Sequence, residues 1–258
     1  MLNSNTRRLA EAAGVAALGA VLAGAVGSAV GVGIPAAVVG GLNGAISGYR
    51  RIYGWSCSDG LIAFTLDSTW ALPMTSAGLF AHAIGFIKRD SGKRDSGYVA
   101  GLSERRNRHV YRRGFMPRKG FATTLGNVIS GAGDVEQPRR AKLITDHEDV
   151  HVWQARWFGP LYPLLYVGWM ALGGAGGVLR WLVDRRRKGD SLFGTVESAA
   201  YYLNPFEWWA YSRDGYWPPK GKVVGFGWQR SCCRPLTEAK PGRPSGLAQF
   251  VPPGRPVR

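Results

Sequence analysis

The chain has 258 residues, enough for one or two domains with a hydrophobic core. Its formal net charge is +16 with no acidic block to offset it, a balance that suits nucleic acid or an anionic membrane face. Cys57, Cys232 and Cys233 make an odd count with no C-x-x-C pair, which argues against a disulfide framework and for reduced thiols in a cytoplasmic setting.

No charged residue stands between Ala12 and Tyr49. The run is long enough for a hairpin of two membrane spans of about 17–20 residues each, with Ile34-Pro35 as the natural break. Gly40, Gly44 and Gly48 recur every four residues, as do Ala23, Gly27 and Gly31. On a helix this spacing makes a flat stripe that admits a second helix closely. Residues 1–52 are therefore expected to form a glycine-zipper membrane hairpin, packed against itself or against a copy in a homo-oligomer. Arg7 and Arg8 precede the run and Arg50 and Arg51 follow it, which puts both ends in the cytoplasm by the positive-inside rule. Thr6-Arg7-Arg8 also resembles a twin-arginine export signal, the alternative location, but a signal's apolar core is only about 7–15 residues. The apolar segments favour membrane lipid over specific nucleic acid as the anionic partner.

Gly54 to Trp70 reads as a strand, with Leu61, Ala63 and Thr65 alternating against Ile62, Phe64 and Leu66 before a turn at Asp67-Ser68. Pro73 to Phe86 is apolar and fits the core or the membrane, and Lys88 to Gly97 reads as a polar loop. Arg105 to Arg113 is basic with Val110 and Tyr111 interleaved, and reads as a solvated strand facing lipid headgroups. Phe121 to Ile129 reads as another strand, whose edge is placed to hold an extended peptide by main-chain pairing.

His147-Glu148-Asp149-Val150-His151 has the form H-E-x-x-H. On a helix, positions i and i+4 share a face, so His147 and His151 can grip one zinc ion at about 2.0–2.1 Å per bond. Glu148, beside them, can take a proton from water at the metal. The flank is amphipathic and predicts one helix of about four turns, starting near Thr145 or Asp146 and stopped by Gly159-Pro160.

Trp157 to Leu179 carries no charge and is long enough to span a membrane. Pro160, Pro163 and the glycines at 173–177 predict a broken or re-entrant helix there. Leu192 to Leu203 reads as a helix carrying Glu197, and Asn204-Pro205-Phe206-Glu207 opens another. Residues 218–258 are rich in Pro, Gly, Lys and Arg, and are expected to be a disordered basic tail.

His147 to Gln154 with Asn204-Pro205-Phe206-Glu207 downstream resembles the zincin metallopeptidases, and more narrowly the gluzincin-type proteins of bacterial membranes. The likeness covers about residues 100–217. It implies an α+β fold, with a zincin-like core over residues 53–217 that has a short sheet, the H-E-x-x-H helix and an apolar insert at 157–183. It implies Zn²⁺ held by His147, His151 and Glu207, Glu148 as general base, and a peptide or protein substrate cleaved at the bacterial inner membrane. Tyr211 stands one turn after Glu207, where the family has a supporting Asp, and is a candidate donor to the oxyanion or to a ligand. Other readings stay open. Glu207 also fits a capping box, with Asn204 as N-cap and Pro205 at the first helical position, and Glu197 is the other downstream acid. A metal-binding adaptor without activity, or a glycine-zipper oligomer or pore, would account for the same sequence in other ways.

Overall fold

A computed structural model describes residues 3–87, 97–118, 120–184, 191–223 and 225–236. The described chain is mainly helical with one small three-stranded sheet, an α+β arrangement. It divides into two compact units between Pro160 and Leu161.

In the first unit, α1 (Ser4–Ser28) and α2 (Gly33–Tyr49) form the expected hairpin. The glycine stripe of α2 is covered by α1. A Cβ added to Gly40 would lie 2.3 Å from the Gly19 carbonyl oxygen, and one added to Gly44 would lie 2.4 Å from that of Val15. The two backbones meet where the sequence provides no side chain. The hairpin is continuous with the rest of the unit, because Val15 packs with Ile52, Tyr53, Phe64 and Trp153. Leu18, Val21, Val38 and Leu42 are exposed on its outer face.

The strand expected at 54–70 is a helix, α3 (Ser58–Asp67), followed by α4 (Leu72–Ile87). Gly60, Ala63, Phe64 and Asp67 are buried at helical spacing. A continuous apolar run such as Leu61–Leu66 fits either period, and here the helical one prevails. The loop expected from Lys88 lies outside the described residues up to Ser96.

The sheet has the order β1-β3-β2: β1 (His109–Val110) runs parallel to β3 (Val128–Ser130), and β2 (Thr123–Leu125) antiparallel to it. The single strand expected at 121–129 is thus a hairpin turned at Gly126-Asn127, with β2 on the sheet edge. Gly126 has φ +56, and a Cβ there would meet the Met74 carbonyl oxygen at 2.1 Å. The basic stretch 105–113 is also corrected. Arg108, His109, Val110 and Tyr111 are buried, and Arg108 pairs with Asp149 while Arg105 bonds Glu11 at 2.7 Å. These charges are used inside the unit rather than on a lipid-facing strand.

The helix expected to carry the motif is not uniform. α5 (Pro138–Lys142) widens into a π-helical turn over Leu143–Glu148, and only then continues as α6 (Asp149–Phe158). π turns of this kind concentrate at functional sites.

In the second unit, α7 (Leu161–Val183) is unbroken, against the expectation of a broken helix. Pro163 falls in the first turn, where its missing N–H costs no helical bond. The glycines serve close packing instead: a Cβ on Gly173 would lie 2.6 Å from the Ala199 carbonyl oxygen. α8 (Leu192–Glu197), a π-helical turn at Ser198–Tyr202 and α9 (Pro205–Asp214) follow. The expected disordered tail begins with packed chain. Trp217 and Val223 are buried against Leu203, and the Trp228 indole donates to the Leu203 carbonyl at 3.2 Å. Residues 237–258 lie outside the described residues. α1 and α7 are both long and apolar enough to cross a membrane.

Candidate metal centre

Packing and charge fix the motif helix at both ends. Ile144, in the π turn, is fully buried with Val110, Ile129 and Val152, which seats the turn on the sheet. Arg108 on β1's flank pairs with Asp149 where α6 begins. Toward the far end, Arg156 meets Asp67 of α3 through two bonds, Nε to Oδ1 at 2.8 Å and Nη2 to Oδ2 at 2.9 Å. Burial disfavours the Arg156 charge, but the Asp67 carboxylate outweighs it, and the guanidinium pKa is raised.

This frame holds His147 and His151 with their Nε2 atoms 3.3 Å apart, both side chains buried. Two Zn–N bonds of about 2.0–2.1 Å at a tetrahedral angle separate their nitrogens by about 3.3 Å, so the pair has a chelating spacing. His151 Nδ1 lies 2.8 Å from Gln154 Oε1. An amide oxygen only accepts, so Nδ1 carries the proton and Nε2 presents its lone pair. This is the support that metal-binding histidines commonly receive. Gln154 closes the stretch that carries the resemblance, but the sequence alone gives it no role.

Glu148 follows His147 in the π turn and is buried. Thr124 Oγ1, on the edge strand β2, donates to Glu148 Oε2 at 2.7 Å. Sequence reading treated Thr124 only as part of a strand. Nothing local in the sequence marks this bond, which joins residues far apart in the chain.

Glu207 is buried in the first turn of α9, where Tyr166 Oη of α7 donates to its Oε1 at 2.7 Å. Nothing in the sequence points to this bond, which joins residues on different helices. Asn204 does cap α9, accepting from Phe206 N at 3.1 Å. Its own N–H goes to the Tyr201 carbonyl at 3.0 Å. The reciprocal bond of a capping box would need that N–H for Glu207. The other acid, Glu197, receives Lys222 Nζ at 2.7 Å. Tyr211 stands among aromatic rings, 5.9 Å from Tyr202 and 6.5 Å from Trp217 by centroid.

His147, His151 and Glu207 are all buried and are a group that could bind a metal ion. Comparison with protein-family models, curated proteins and solved structures finds no match to the chain.

Proposed function

We propose that this chain is a membrane-associated zinc metallopeptidase. The carrying observation is the buried group of two imidazoles and one carboxylate, with the histidine nitrogens at chelating spacing. Two nitrogens and one oxygen form a donor set typical of catalytic zinc, which keeps a fourth position for water. Zinc bound there supplies Lewis acidity and lowers the pKa of its water. Glu148 serves as the general base. Thr124 holds its Oε2, leaving Oε1 to take the proton from water and return it to the leaving amine as the peptide bond breaks. The edge of β2 suits an extended peptide, because among the described residues that strand pairs with β3 alone.

Membrane association rests on α1 and α7. Leu164, Val167, Leu172 and Leu179 of α7 are exposed, as are Leu18 and Val21 of α1, and such surface is costly in water. The basic pairs at both ends of the hairpin favour the cytoplasmic face for those ends.

The test uses the purified full-length chain in detergent. Zinc is expected at one ion per chain, together with cleavage of a fluorogenic peptide library. Glu148→Gln is expected to keep the zinc and lose cleavage by at least about 10²-fold, the scale of a general base. Wild-type protein without metal would overturn the reading. Zinc with no cleavage of any library member would replace it with the adaptor reading.

A further inference from the structure

We propose that Cys232 and Cys233 form a second binding site, a vicinal dithiol that chelates one soft centre of the trivalent-arsenic type. The site lies within the second unit and is independent of the His147, His151 and Glu207 group.

The two Sγ atoms are 4.0 Å apart. Thiolate bonds of about 2.3 Å at a near-tetrahedral angle set two sulfurs about 3.8 Å apart, so small side-chain rotations bring the pair onto one common centre. Both residues are partly exposed, and both are free thiols. The backbone that carries them is anchored. Cys232 N donates to Ser212 Oγ at 3.1 Å, Ser212 Oγ donates to the Trp208 carbonyl at 2.7 Å, and Arg213 Nη1 reaches the Arg234 carbonyl at 3.3 Å. The sulfurs are therefore held together on the side of α9 rather than on a free strand.

Their chemistry supports chelation. The hydrogen bond between the two sulfurs is the largest influence bringing the Cys232 pKa down to about 7. The Ser212 hydroxyl and the Arg213 charge add to it against the cost of burial. Cys233 is pushed up in turn, first by its hydrogen bond with Cys232, then by burial and by the negative charge beside it. Near neutral pH a thiolate therefore forms readily beside a thiol, a nucleophile with a second ligand in reach. Soft sulfur donors select soft ions over the harder ones that carboxylates prefer. An internal disulfide between adjacent residues would close a strained ring, so chelation is the easier outcome.

Phenylarsenous acid is the probe. Its two As–O bonds break and two As–S bonds form. The two thiol protons leave with the two hydroxides as two waters, and no oxidant or reductant is required. The full-length chain, reduced and then mixed with the probe in excess monothiol, is read by intact mass. One phenylarsenic adduct per chain is expected. Cys57→Ser should retain it, while Cys232→Ser and Cys233→Ser should each weaken it by about 10²-fold, the low end of the gain from linking two binding groups. In the wild-type chain, bound arsenical should protect Cys232 and Cys233 from alkylation but leave Cys57 open, which needs no variant to fold. Adduct retained in the Cys232→Ser/Cys233→Ser double variant, or no adduct on the wild type, overturns the proposal. So does alkylation of Cys232 and Cys233 in the arsenical-treated chain.

Discussion

Glu207 and Tyr166 show how one hydroxyl can set the behaviour of a ligand. The phenol donates to Oε1, which orients the carboxylate and shares its negative charge. Tyr166→Phe removes that donor with little change in volume. Zinc affinity is expected to fall about 10–100-fold, the usual effect of losing a supporting hydrogen bond at a metal. Competition with a chromophoric chelator measures it, and unchanged affinity would remove Tyr166 from the site. Thr124→Val is the matching change at Glu148. It should lower kcat by about tenfold or more while leaving zinc content intact, because it touches the proposed base rather than a ligand. The histidine pair was legible in the sequence because one-turn spacing is local. Glu207 was reached through the resemblance alone, because Asn204-Pro205 marks a helix start that suits a capping carboxylate equally well. Thr124 and Tyr166 were not, since each meets its carboxylate through tertiary packing across long stretches of chain.

The motif helix owes its placement to its neighbours as much as to its own pattern. Asp67 accepts from Arg156, from Tyr53 Oη at 3.0 Å and from Asn127 Nδ2 at 3.2 Å, all within the interior. Asp67→Ala would leave the Arg156 charge buried without its carboxylate, and should cost about 3–5 kcal/mol, read as a lower urea midpoint. An unchanged midpoint would mean that the pair holds nothing. This network also explains two misreadings. α3 ends at Asp67, which reaches inward, and the alternating apolar pattern before it gave no sign of this. Arg105 and Arg108 looked like a surface because arginines usually lie on one, yet Asp149 draws Arg108 inside and Glu11 holds the half-buried Arg105. The hairpin, by contrast, was legible. A long charge-free run with glycines at every fourth position leaves few other ways to pack.

At the scale of the whole molecule, pH and lipid are the levers. His82 is held down to about pKa 3, by burial first and then by the Arg50 charge. His109 is held well below its ordinary value by burial, then by His82, Arg50 and Arg156. Both are neutral when folded. The unfolded chain protonates them near pH 6.5, so their contribution is intact above that pH and is lost as pH falls through the acid range toward the folded values. The slope is about 1.4 kcal/mol per pH unit for each histidine. Urea midpoints between pH 7 and 5 should fall, and fall less steeply in His109→Gln; identical slopes would contradict this. The exposed apolar faces of α1 and α7 predict that the chain stays with lipid vesicles in high salt, where purely electrostatic binding is screened. Release by salt alone would mean that only its basic charge holds it.

X-ray absorption at the zinc edge of the purified, zinc-loaded chain tests the central claim most directly. Two imidazoles with a carboxylate and water predict nitrogen and oxygen neighbours at about 2.0–2.2 Å, an imidazole outer-shell pattern and no sulfur. That spectrum should change on His151→Ala and on Glu207→Ala, and stay the same on Cys232→Ser. Sulfur at about 2.3 Å would place the metal on cysteine, and an absent zinc edge would leave His147, His151 and Glu207 without one. Either result would contradict the account.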